Sequence, residues 1–194
     1  MCLISFKRAP KHSTWPDAMA AMGGNSERFV QQLDTTTTGE VAVLVRPSPD
    51  QSHTQTKAEL ERALTGMDRT KHHFDVTVDE VGHGWVILKS EHLPELAQGA
   101  AQMGDVFAAA GLGERVVAAV FPFRWHDATK QRDQRIYWLY QPRIRAFTPF
   151  VPEGDPSNER RDHDLEVRME AAIRRELPTE RQTAEWFPIW GMPV

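Results

Sequence analysis

Apolar positions along the chain switch repeatedly between two periods. Leu96, Ala100, Met103, Phe107 and Ala110 recur at alternating steps of four and three, which lines one face of a helix. Pro94 suits the first turn of that helix, where its missing N–H leaves nothing unpaired. "AGLG" at Ala110–Gly113 ends it, because glycine takes the left-handed position after a helix without strain. Phe74–Val81, "FDVTVDEV", alternates instead and predicts a half-buried strand. A tight "GHG" turn then leads into "WVILKS", Trp85–Ser90, and completes a hairpin. Arg115–Phe123, "RVVAAVFPF", is apolar without alternation, as expected for a strand covered on both faces.

The remaining blocks fill in the order. Trp15–Leu33 predicts a helix broken at Gly23–Asn25. "DTTTTGE", Asp34–Glu40, reads as a loop into the strand "EVAVLV", Glu40–Val45, which the prolines of "RPSPDQS" terminate. Gln55–Met67 carries a helical stripe of Leu60, Ala63, Leu64 and Met67. Trp125–Gln134 reads as a polar loop before the strand "RIYWLYQ", Arg135–Gln141, and "RAFTPFVP" continues in extended form. A last helix falls within Glu153–Leu177, capped by Ser157 or Asn158, with Leu165, Met169, Ala172 and Ile173 as its stripe. The order is helix, strand, helix, hairpin, helix, two strands, helix and tail. It predicts an α+β domain, an antiparallel sheet of about five strands with helices packed on it. Residues 1–14 read as a mobile leader, 15–178 as a single domain and 179–194 as an apolar tail docked on it.

That tail is unusual in composition. "EWFPIWGMPV", Glu185–Val194, packs two tryptophans, Phe187, Ile189 and Met192 into a region where chains commonly fray. Two readings follow: a permanent staple over an exposed face, or a docked segment that releases to bind a partner.

Charge and candidate chemistry narrow the function. Net charge is −4 and pI about 6.1, against a nucleic-acid footprint. Aromatics beside Arg124, Arg135, Arg143 and Arg145 could stack bases, but the acidic balance opposes this and no nucleic acid is expected. The single cysteine, Cys2, forbids an intramolecular disulfide and fits the cytosol. "MCLISFKRAPKH" is no signal peptide, since its charges follow a short apolar part; a weakly membrane-touching tip is the alternative to a frayed terminus. His72 and His73 point to opposite faces of a strand start, and His83 and His126 stand apart, so no metal site is expected. Phosphate-loop, dinucleotide and nucleophile-elbow motifs are absent, and neither catalytic residues nor a cofactor is expected. "RRDHDLE" places Asp162 and Glu166 side by side on a polar helix face with His163 facing elsewhere. An enzyme built from Asp162, His163 and His126, or a nucleic-acid binder, is the alternative functional reading.

"RIYWLYQPRIRAFTPFVP", "RRDHDLEVRMEAAIRREL" and the closing "EWFPIWGMP" resemble the PspA-associated protein PspAB family, with likeness over roughly residues 74 to 193. The resemblance implies an envelope-stress setting of the phage-shock type. It also implies a PspA-type coiled-coil partner at the inner face of the membrane, hence a cytoplasmic protein with peripheral membrane proximity. It carries no catalytic residue across. The expected role is a non-enzymatic adaptor, with Trp186, Phe187, Trp190, Trp138, Tyr140, Phe147 and Phe150 as candidate partner-binding residues. The layout is also similar to a secretion-chaperone-like (YbjN-like) α/β sandwich, which implies a homodimer as a further expectation. Fold analogy alone does not give function.

Overall fold

Thr14 starts the first helix by accepting a hydrogen bond from the Asp17 N–H, and α1 (Trp15–Gly24) runs until Asn25. A second helix, α2 (Ser26–Leu33), follows at once and ends on left-handed Asp34. The break expected at Gly23–Asn25 is therefore real. In this computed structural model the described residues are 13–68, 73–127, 132–154 and 158–194. The expected leader up to residue 12, with Cys2, and His72 and Ser157 lie outside them.

Further on come β1 (Thr35–Thr37), β2 (Glu40–Val45), α3 (His53–Ala63), β3 (His73–Val78), β4 (Gly84–Lys89) and α4 (Leu93–Ala109). They are followed by β5 (Val116–Asp127), β6 (Arg132–Gln141), β7 (Ala146–Phe150), β8 (Pro152–Glu153), β9 (Arg160–Arg161) and α5 (His163–Ile173). The main sheet has the order β3-β4-β2-β5-β6-β7, with β1 also paired to β5, and every pairing among its named strands is antiparallel.

This α+β architecture holds seven strands in its main sheet where about five were expected. Thr35–Thr37 is not loop: it pairs with Phe123–Trp125. The expected polar loop Trp125–Gln134 is mostly ladder, with Trp125 opposite Gln134 and His126 opposite Asp133. Both segments are mostly polar, so backbone pairing proceeds there without an apolar alternation to advertise it, although Trp125 packs against the helix-covered core and Thr35 is buried. The first hairpin strand ends at Val78, because the Asp79 carboxylate gathers the N–H groups of Val81 and His83 into the turn. The last helix starts only at His163. Its cap is Asp162, which accepts from the Leu165 N–H, and neither Ser157 nor Asn158; β8 and β9 use the intervening chain.

All five helices contribute to one buried cluster with one face of the sheet, through residues such as Met19, Phe29, Leu60, Phe107 and Met169 packed with Val43, Phe121 and Trp138. Trp15 meets Tyr140 edge-on at 5.4 Å, and the Tyr140 hydroxyl donates to the Ser13 carbonyl at 2.7 Å. Burial pushes the Tyr140 hydroxyl up to about 12. At Gly84 the helix α3 approaches so closely that an added Cβ would overlap Leu60 Cδ1. Gly84→Ala is expected to cost about 1–3 kcal/mol of overpacking, read as a lower denaturant midpoint.

Candidate functional site: the C-terminal segment and its surface

The sheet's second face carries Ala42, Leu44, Trp85, Ile87, Ala118, Val120, Tyr137, Leu139 and Phe150, all buried, and no helix adds to this cluster. Ile189, Trp190, Met192 and Val194 of the C-terminal segment pack there instead. The path to that face begins at the edge of the sheet.

Phe147, Pro149 and Val151 alternate along β7 and its extension, so their backbone groups point away from β6. The N–H and carbonyl groups of Phe147 and Val151 all have partners. The Phe147 N–H donates to the Pro178 carbonyl at 2.8 Å, and the Glu180 N–H donates to the Phe147 carbonyl at 2.9 Å. Pro149 has no N–H to satisfy. The Val151 carbonyl accepts from the Asp162 N–H at 2.9 Å, and the Val151 N–H donates to Glu166 Oε1 at 2.9 Å. The start of α5 and the chain after it thus close a strand edge that would otherwise recruit another chain.

Glu166 is the centre of this closure. Its side chain is fully buried, yet it accepts from Arg161 Nε at 2.9 and 2.8 Å and lies 3.2 Å from His163 Nδ1. Arg161 Nη1 in turn donates to the Trp186 carbonyl at 2.9 Å. Trp186 is held from the other side as well: its indole N–H donates to the Glu180 carbonyl at 2.8 Å, and the His163 ring meets it at 5.7 Å. One helical turn on, buried Glu170 accepts from the Thr179 hydroxyl at 2.7 Å. A carboxylate survives such burial because guanidinium and N–H groups replace its water.

Beyond this anchor the segment crosses the second face. Trp190 stands edge-on to Phe150 at 4.8 Å, and the Tyr137 hydroxyl donates to the Val194 backbone oxygen at 3.1 Å. Burial raises the Tyr137 hydroxyl above its ordinary range. Phe187 points the other way. It is 50% exposed, lies 5.3 Å from the Arg143 guanidinium, and Arg143 also pairs with Glu185 at 3.2 Å. Arg143 borders a cleft of about 440 Å³ lined by Arg46, Glu114, Val116, Val117 and Pro142.

The candidate residues therefore divide. Trp138, Tyr140 and Phe147 sit in the helix-covered core, and Phe150 in the second-face cluster. Trp186 is 4% exposed, Trp190 is half-buried, and only Phe187 stands well into solvent. Asp162 caps α5, and His163 reaches Glu166 rather than facing elsewhere. His126 is bound to Asp133 at 2.9 Å on the β5–β6 hairpin, so its partner is neither Asp162 nor His163. Arg161 and Glu166 were legible only as part of a polar helix face; their place at the strand edge depends on β7, which the local pattern does not encode. Among the described residues no group of three or more His, Cys, Asp or Glu is placed to hold a metal, and no helix is long and apolar enough to cross a membrane.

Fold and tail together define an α+β domain whose main sheet is covered by helices on one face and by its own C-terminal segment on the other. The chain belongs to the PspA associated protein B family, PspAB, which matches residues 3–194. The match takes in the N-terminal third as well, where the sequence likeness was weakest, and it links the protein to PspA. Comparisons with curated proteins and with solved structures return no match.

Proposed function

We propose that this protein is a non-enzymatic adaptor of an envelope-stress system of the phage-shock type, binding the coiled-coil protein PspA from the cytoplasmic side. Membership of the PspA-linked family carries this reading. The surface favours Phe187 as the contact: among the exposed large apolar side chains of the described residues it is the aromatic one, beside Arg143 and the neighbouring cleft. Aromatic and arginine side chains are enriched at the centres of protein interfaces. A helix offering an apolar residue flanked by acids would meet both groups.

Calorimetry with the PspA of the same organism tests this. The intact chain is expected to bind, and Phe187→Ala to weaken binding by about 1–3 kcal/mol, or roughly tenfold and more. Absence of heat with the intact chain would remove the adaptor reading; equal affinity for both would move the contact elsewhere.

A further inference from the structure

Arg124 on β5 and Arg135 on β6 stand directly opposite each other, and Thr36 on β1 completes the same row. Opposite residues of an antiparallel ladder share a face, with Cβ atoms about 4.5–5.5 Å apart. Like charges so placed repel. All three side chains are exposed, and among the described residues neither guanidinium makes an ion pair. On that face Asp133 binds His126 at 2.9 Å, and Lys89, opposite Glu40 in the ladder, pairs with Asp75 at 3.1 Å, so neither Asp133 nor Glu40 forms an ion pair with Arg124 or Arg135. The row sits at the hairpin end of β6, and Arg143 follows the other end of that strand, so this surface is distinct from the one at Phe187.

We propose that Thr36, Arg124 and Arg135 form a binding site for a phosphate group. Two guanidinium groups present a charge of about +2, which a phosphate at about −1.5 to −2 neutralises and one carboxylate does not. Arginine forks match phosphate oxygens bidentately, and the Thr36 hydroxyl adds a third donor from the same row. The inference does not depend on PspA binding.

Inorganic phosphate is the first probe, titrated against sodium chloride at matched ionic strength, with backbone amide shifts and the thermal midpoint as readouts. Saturable shifts centred on residues 36, 124 and 135, with a raised midpoint, are expected. Arg124→Gln and Arg135→Gln should each weaken the phosphate response by about tenfold or more. In chloride alone both variants should be at least as stable as the natural chain, since each relieves the repulsion. A phosphate response equal in all three chains, or one that follows ionic strength alone, overturns the site. Sedimentation with vesicles containing phosphatidylglycerol then separates the sources. Binding lost in both variants assigns a lipid headgroup, whereas no vesicle binding beside a saturable phosphate response assigns a soluble phosphate.

Discussion

Glu166→Ala will lower the stability of the domain by about 3–5 kcal/mol, the range for removing one partner of a buried ion pair. The carboxylate has three separate duties, and alanine ends all of them. The Arg161 guanidinium loses its counter-charge, the Val151 N–H loses its only acceptor at the sheet edge, and His163 loses its orienting contact. Arg161 then holds the Trp186 carbonyl less firmly, so the damage reaches the C-terminal segment. Glu166→Gln keeps an acceptor of the same shape and should cost less. Denaturant unfolding gives the magnitude, and hydrogen exchange at Val151 gives the location. A loss below about 1 kcal/mol, the scale of an exposed pair, would mean that the carboxylate is solvated and the closure is formed by the backbone alone.

The second large effect separates two adjacent residues. Trp186→Ala should cost about 3–5 kcal/mol, because the ring is buried between His163 and the sheet edge and its N–H is bonded to Glu180. Phe187→Ala should change stability by no more than about 0.5 kcal/mol, as for an ordinary surface site. Trp190→Ala falls between, since its ring is only half-buried against Phe150. Unfolding midpoints of the three variants under one condition check the order. Similar small losses at Trp186 and Phe187 would mean that the segment is not anchored in solution.

The helices were legible because apolar residues fall on one face in α1, α3, α4 and α5, and the β3–β4 hairpin because its strands alternate around a glycine-flanked turn. The outer halves of β5 and β6 were not, since Trp125–Asp127 and Asp133–Gln134 are polar except for Trp125, which packs against the helix-covered core, and a backbone ladder needs no apolar alternation. β1 was hidden for the same reason: a run of threonines reads as turn until the long β5 offers it a ladder. The aromatic richness of the tail was plain in the sequence. Which aromatic faces solvent was not, because Trp186 and Phe187 differ in their tertiary neighbours and not in their hydrophobicity.

The C-terminal position of the second-face cover has a consequence for biosynthesis. Translation at about 5–20 residues per second completes all seven main-sheet strands before residues 186–194 emerge. During that interval Trp85, Ile87, Val120 and Leu139 have no lid, and in its first part, before residues 162–180 emerge, the β7 edge also lacks its closing partners. The nascent chain therefore passes through a stage with an open sheet edge and, for longer, a wet apolar sheet face.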